Sequence, residues 1–178
     1  MLTITEALAD IKTLGKRIDS KAQFIQTYLV RQEMISDPLA QEGGSVKAIA
    51  AAQQSIHDLA ERVVVLRAAI HRANAATVIP INGTTRSLAD WLVWRRDAVP
   101  LLQQSRSRID QLIQQVRRDA GQKGFKMSQP GQVADRQDVI IHLNEIAFAQ
   151  EGDMLTDTLG QLDGLLSLKN ATTTIDVP

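Results

Sequence analysis

Histidines and serines are the residues through which this chain could act as an enzyme or hold a metal ion. The three histidines, His57, His71 and His142, share no spacing that would bring them to one ion. Ser87 and Ser105 lack the elbow or triad context of a catalytic nucleophile. A solvated or structural role is therefore the simpler interpretation of the histidines.

Glycine and cysteine usage adds no cofactor motif. Gly43-Gly44 and the pair Gly121 and Gly124 occur outside any Walker or Rossmann frame. Cysteine is absent, which excludes disulfides and thiolate metal sites. The sequence therefore predicts a non-catalytic protein with no catalytic, cofactor-binding or metal-binding residues and no small-molecule substrate.

Charge is balanced over the chain but unevenly distributed along it. Residues 86–126 carry nine Lys and Arg against four Asp and Glu, and residues 127–178 carry two against eight. A basic helix beside an acidic one, in the same chain or a neighbour, is the simpler interpretation. A nucleic-acid face is the alternative, and the neutral chain without a recognised binding motif argues against it. The arginines concerned are Arg95, Arg96, Arg106, Arg108, Arg117 and Arg118.

Two long apolar seams predict a helical hairpin of residues 1–34 and 46–73. Apolar residues recur at alternating spacings of three and four, as in coiled coils. Two such helices joined by a short loop form an antiparallel pair about 40 Å long. Gly15 and Ala22 would let the partner helix approach closely. The seams are Ile4, Leu8, Ile11, Gly15, Ile18, Ala22, Ile25 and Leu29, then Ile49, Ala52, Ile56, Leu59, Val63, Leu66, Ile70 and Ala73.

Capping signals set the expected ends of these helices. The capping box Thr3-x-x-Glu6 opens the first helix, and Ser45 caps the second. The first helix should end before Asp37-Pro38, because proline disfavours the α conformation in the residue before it.

A β-hairpin at 77–86 interrupts the helical pattern. Its turn is Asn82-Gly83, because both central positions of a tight hairpin turn need positive φ. A third helix follows at 88–120, and Pro100 inside it should kink or split it.

Both tryptophans lie at the start of this third helix, beneath the hairpin. Trp91 and Trp94 are interpreted as anchors of the hairpin on the helices, with an exposed partner-binding anchor as the alternative.

The C-terminal part is expected to contain a loop, a strand, a helix and a terminal strand. Residues 121–137 are a long polar connection, and loops of that length are often functional. Residues 138–143 predict a strand. Asn144 caps a helix at 145–169, and residues 173–177 predict a strand that pairs in a sheet or with a neighbouring subunit. The apolar stripe of that helix is Phe148, Leu155, Leu159, Leu162 and Leu166.

The chain repeats one pattern, in residues 66–81 and again in residues 162–177. Each copy is a helix that is expected to end at an asparagine, Asn74 or Asn170, followed by a β-branched extended segment. Two helices would then end side by side, with their tails paired in one small sheet. The expected fold is mainly α: a single domain, 1–178, built as a long antiparallel helical hairpin or bundle with a small β-sheet formed by the hairpin and the C-terminal tail.

The residues around the hairpin resemble a known family. The segments Asn74-Ala-Ala-Thr77, Gly83 and Ser87-Leu-Ala-Asp90 through Arg95-Arg96-Asp97 look like the pattern of septicolysin-type bacterial proteins of unknown activity. Residues 162–173 look closer to proteins of tailed bacteriophages with the same layout. This resemblance covers the chain from Leu66 onward. It implies no site residues, and the pore formation suggested by the septicolysin name is not carried over.

The resemblance and the seams together predict a non-catalytic structural protein of a tailed-phage virion, capsid- or tail-associated. Its partners would be itself, as a homo-oligomer, and other virion proteins, with no membrane and no nucleic acid. A bacterial cytoplasmic adaptor or regulator that binds through the basic third helix is the alternative, and a pore-former is the third hypothesis. The predicted partner-binding residues are Arg106, Arg108, Arg117, Arg118, Lys123, Phe125 and Lys126.

Overall fold

The computed structural model describes residues 1–128 and 138–176, and it is mainly helical, as predicted. Two compact units divide the chain: Met1–Thr77 with Leu166–Pro178, here called the first unit, and Val78–Leu165, the second unit. The interpretation of 1–178 as one domain stays a prediction. The helices are α1 Ile4–Tyr28, α2 Ser45–Ala76, α3 Leu88–Val93, α4 Val99–Gln122 and α5 Glu145–Thr172. The strands are β1 Leu2–Thr3, β2 Val78–Ile81, β3 Thr84–Ser87, β4 Met127–Ser128, β5 Val139–Ile140 and β6 Thr174–Ile175.

The first unit is built on the α1–α2 hairpin. Ile4 and Ala7, at the start of α1, share one buried cluster with Leu66 and Ile70, near the end of α2. The helices are therefore antiparallel, as predicted. The α2 seam is buried or half-buried at every predicted position.

The α1 seam differs from the prediction at alternate positions. Ala7 is buried and Leu14 is half-buried, whereas Leu8 and Ala22 are exposed. A Cβ added at Gly15 would meet nothing within 4 Å. The expected close approach at Gly15 and Ala22 is therefore wrong, because Ala7 and Leu14 lie on the buried side of α1 and Ala22 is exposed.

The ends of α1 and α2 are only partly as predicted. The capping box is confirmed, because Glu6 N–H donates to Thr3 Oγ1 at 3.2 Å and Thr3 N–H donates to Glu6 Oε2 at 2.7 Å. The helix α1 ends at Tyr28 rather than 34. Beyond it the Arg31 guanidinium donates to the Ile35 carbonyl at 2.8 Å, a contact that holds a loop in place of a further helical turn.

Asp37, rather than Ser45, caps α2. Gly44 is the N-cap residue and Ser45 is the first helical residue. The Asp37 carboxylate accepts from Ser45 N–H at 2.7 Å and from Ser45 Oγ at 2.5 Å. These bonds from Ser45, with a further one from Leu39 N–H, hold the pKa of Asp37 below its ordinary value.

The C-terminal tail pairs with the N-terminus, which corrects the expectation of one sheet shared with the hairpin. Within the described residues, β6 pairs only with β1, in antiparallel register with Leu2 opposite Ile175, and β2 pairs only with β3. The reason is long-range burial, since Ile175 lies in the cluster formed by α1 and α2. Val177, the last residue of the predicted strand, lies outside the described residues.

The repeated asparagines do not end their helices. Asn74 and Asn170 are helical, and α2 and α5 continue to Ala76 and Thr172. The Asn74 side-chain oxygen is buried with no hydrogen-bond partner in the described part of the chain. Both helices instead finish with the same bond, from the N–H of a threonine to a carbonyl four residues earlier. The bonds are Thr77 N to Ala73 O at 3.0 Å and Thr173 N to Lys169 O at 2.8 Å.

The second unit opens with the predicted β-hairpin. Asn82 and Gly83 have φ of 46° and 76°, as the tight turn requires. Trp91 is 2% exposed and its Nε1–H donates to the Ile79 carbonyl at 3.2 Å, so this tryptophan anchors the hairpin. The predicted interruption at Pro100 is a π turn, Trp94–Ala98, immediately before α4.

The strand predicted between α4 and α5 is shorter in the structure than the sequence indicated. The predicted strand 138–143 is limited to β5, which pairs in parallel with β4, a segment that the sequence placed in the 121–137 loop. Residues 129–137 of that loop lie outside the described residues. Asn144 is confirmed as a cap, because its Oδ1 accepts from Ala147 N–H at 3.1 Å.

The burial of Ile175 predicts that the tail stabilises the first unit. Ile175→Ala should lower the free energy of unfolding by about 2–4 kcal/mol, because the cavity would open inside the α1–α2 cluster. Thr174→Ala is the matched control and should change it by under about 1 kcal/mol, since that side chain is exposed. Urea unfolding of both variants would measure the difference, and equal effects would contradict the burial of the tail.

Candidate interaction surfaces

Ion pairs between described residues join the basic and acidic segments within the second unit. Their order is reversed along the two segments, so α4 and α5 are antiparallel. Exposed pairs of this kind contribute about 0–1 kcal/mol each, and they set register more than stability. The pairs are Arg95–Asp163 at 2.5 Å, Arg106–Glu151 at 3.9 Å and Arg117–Glu145.

Arg106 makes the most extensive of these contacts. Its Nη2 donates to the Phe148 carbonyl at 2.5 Å, and its guanidinium lies 4.0 Å from the centre of the Phe148 ring. The side chain is 21% exposed. A Cβ added at Gly152 would lie 2.5 Å from Nη2 of Arg106, so the absence of a side chain at Gly152 provides the space for the guanidinium.

Two grooves flank this contact, and Arg106, Phe148 and Leu155 line both of them. The polar groove has a volume of about 870 Å³, and the apolar groove about 420 Å³. The other residues of the apolar groove are Trp94, Leu102, Ser105, Ile109, Glu151, Met154 and Thr158. The polar groove carries both signs of charge, in Asp110, Arg118, Glu145 and Asp153.

Four apolar residues of this groove and the neighbouring Leu112 form a surface, here called the open face and defined as Leu102, Ile109, Leu112, Met154 and Leu155. Helical spacing places Leu112 next to Ile109 on the same side of α4. Leu112 is 60% exposed and Met154 is 63% exposed. The open face is thus an apolar strip across two helices that the described residues leave uncovered.

A second exposed apolar surface lies in the first unit, at the loop that joins α1 and α2. This surface, here called the hairpin tip, consists of Leu29, Val30, Met34, Ile35 and Val46. Val30, Met34 and Val46 are 84%, 89% and 85% exposed. The sequence interpretation missed it, because Leu29 continued the predicted seam. The clustering of apolar residues between the end of the seam and Gly43-Gly44 was the available signal.

The predicted partner-binding residues do not form one surface. Arg106 and Arg117 contact α5 in the same chain, and Arg118 lines the polar groove. Arg108 is exposed. Lys123, Phe125 and Lys126 follow the end of α4 and are exposed, with Phe125 N–H donating to the Ala120 carbonyl at 2.9 Å.

The described part of the chain contains no cluster of histidines and carboxylates that could bind a metal ion. His57, His71 and His142 are exposed, and no group of three or more metal-ligating side chains comes together there. Among the described helices, none combines the length and apolar character needed to span a bilayer.

Comparison with known proteins adds no family to this description. No protein-family model, no curated protein and no solved structure matches the chain. The resemblance to septicolysin-type and tailed-phage proteins therefore stays a prediction.

The fit between Gly152 and Arg106 predicts a coupling between the two residues. Gly152→Ala should give no gain in stability in the natural chain, because the new methyl group displaces the guanidinium from Phe148. In an Arg106→Ala background the same change should raise the free energy of unfolding by about 0.5–1 kcal/mol, the usual gain from replacing a helical glycine.

Gly160→Ala, on the same helix, is the matched control. A Cβ there would meet nothing within 4 Å, so it should be stabilising in both backgrounds. Thermal unfolding of the natural chain, Gly152→Ala, Arg106→Ala and the double variant would measure the coupling, and Gly160→Ala in the two backgrounds adds two control chains. Equal effects of Gly152→Ala with and without Arg106 would contradict the contact.

Proposed function

We propose that this protein is a non-catalytic structural component of a tailed-phage virion that joins neighbouring proteins during assembly. The observation that carries the proposal is the presence of several exposed apolar side chains in each of two surfaces, the hairpin tip in the first unit and the open face in the second. Exposed apolar patches of this kind mark sites of protein contact. A subunit with two different contact surfaces can link more than one neighbour, as an assembly requires.

The construction of the hairpin tip supports this proposal. Arg31 and Asp37 direct their hydrogen bonds inward, to the loop carbonyls and to the start of α2. Val30 and Met34 are left exposed on this bonded loop. A loop with fixed backbone contacts loses less conformational entropy when it binds, which favours a permanent protein contact.

The virion assignment itself rests on the resemblance of residues 162–173 to tailed-phage proteins. A cytoplasmic adaptor is the second candidate, and the exposed Arg108 and Arg118 favour it. The internal pairing of Arg95, Arg106 and Arg117 reduces the positive charge that the third helix offers to an acidic partner or to nucleic acid. The structural role is therefore preferred.

Particle fractionation tests the proposed function. In a lysate of the strain that encodes the protein, prepared after induction, the protein should band with DNA-containing particles in a caesium chloride gradient. A chain with Val30→Glu and Met34→Glu, supplied in place of the natural one, should be lost from the particles, because charge on the hairpin tip would have to be desolvated.

Val64→Glu is the matched control for these changes, since Val64 is exposed on α2 and lies outside both surfaces. That variant should remain in the particles. Particles that assemble normally while the natural protein stays at the top of the gradient would contradict the virion role and favour the adaptor.

A further inference from the structure

We propose that the open face binds the open face of a second copy, with α4 of each copy lying over α5 of the other. This inference rests on the proposed assembly function and names the partner of one of its two surfaces. The result is a four-helix bundle made of two identical helix pairs. Such a bundle would bury Leu112 and Met154, which are exposed in one chain.

Charge selects this arrangement among the two-fold symmetric ones. A two-fold axis perpendicular to the helices would place α4 on α4 and α5 on α5, so that like charges face each other. An axis parallel to the helices places α4 of each copy over α5 of the other. Arg108, an exposed cation one helical turn from Leu112, then faces the α5 helix that carries the exposed Glu151, and this contact occurs twice in each dimer.

The same symmetry predicts one particular contact. An axis parallel to the helices leaves each residue at its own level along the bundle. Arg106 marks the level of Phe148 and Glu151, and Arg108 lies about 3 Å farther along α4. Arg108 of one copy would therefore reach Glu151 of the other. Both are suited to this contact, because Arg108 is exposed and the Glu151 side chain is 75% exposed.

The size of the open face predicts a weak, concentration-dependent dimer. Leu102 and Leu112 are ten residues apart, so the open face covers about 15 Å of α4, and two adjacent helices are about 20 Å wide. This is less than the roughly 800 Å² per partner of a standard interface. An apolar centre of Leu102, Ile109 and Met154 with charged residues at its margin also has the usual anatomy of a protein interface.

Charge reversal tests the proposal with two variants. Arg108→Glu and Glu151→Lys each place like charges at both symmetric contacts of a homodimer. Each should raise the dimer dissociation constant about tenfold. In an equimolar mixture the two variants should form a heterodimer with affinity close to that of the natural chain, because both contacts then pair opposite charges. Sedimentation velocity at low ionic strength would measure all three samples.

Arg118→Glu is the matched control, since Arg118 is also an exposed arginine of α4 but lines the polar groove. It should dimerise like the natural chain. The proposal is overturned if the natural chain stays monomeric at the highest concentration measured, if Arg118→Glu weakens the dimer as much as Arg108→Glu, or if the mixture does not recover affinity. A monomer that still bands with particles would overturn the dimer alone, whereas a dimer that is absent from particles would overturn the virion role alone.

Discussion

The contact between the Arg106 guanidinium and Phe148 is the interaction on which the arrangement of α4 and α5 depends. The guanidinium spans from one helix to the ring and carbonyl of Phe148 on the other, at 4.0 Å and 2.5 Å. Gly152 leaves the space for it. A long side chain of this kind covers apolar surface with its methylene groups while its charged end finds polar partners. Arg106 lines both grooves, and the apolar residues Leu112 and Met154 remain exposed beside it.

The first unit holds the first and last strands of the described residues together, because β1 pairs with β6. The strands β1 and β6 are two residues each, and such a short pair is marginal without further packing. Ile175 provides that packing by entering the cluster of Ile4, Leu66 and Ile70. The same unit leaves the hairpin tip exposed. Each unit thus leaves a group of apolar side chains exposed, as the proposed assembly role requires.

Local signals in the sequence predicted local structure well. The positive φ at Asn82 and Gly83, the Thr3–Glu6 capping box and the Asn144 cap each depend on residues within four positions of one another. The α2 seam was also predictable, because 3.5-residue periodicity is a property of the segment itself. The mainly α class followed from these elements.

Features that depend on distant partners were predicted less well. The tail could not be assigned to β1 from its own residues, since its pairing is decided by the burial of Ile175 among α1 and α2. The uneven charge indicated that two helices would pair but left open whether within one chain. For the candidate site, the list of cations included Arg106 and Arg117, whose contacts lie inside the chain, and it contained none of the apolar residues of the open face.

Methionine oxidation at increasing protein concentration tests the central claim that a second copy covers the open face. Met154 lies on that face and is 63% exposed in one chain, whereas Met34 lies on the hairpin tip and is 89% exposed. Both are oxidised by peroxide when accessible. The account predicts that Met154 becomes protected as concentration rises while Met34 stays reactive, as peptide mass spectrometry would show. A Met154 oxidation rate that stays independent of concentration would contradict it.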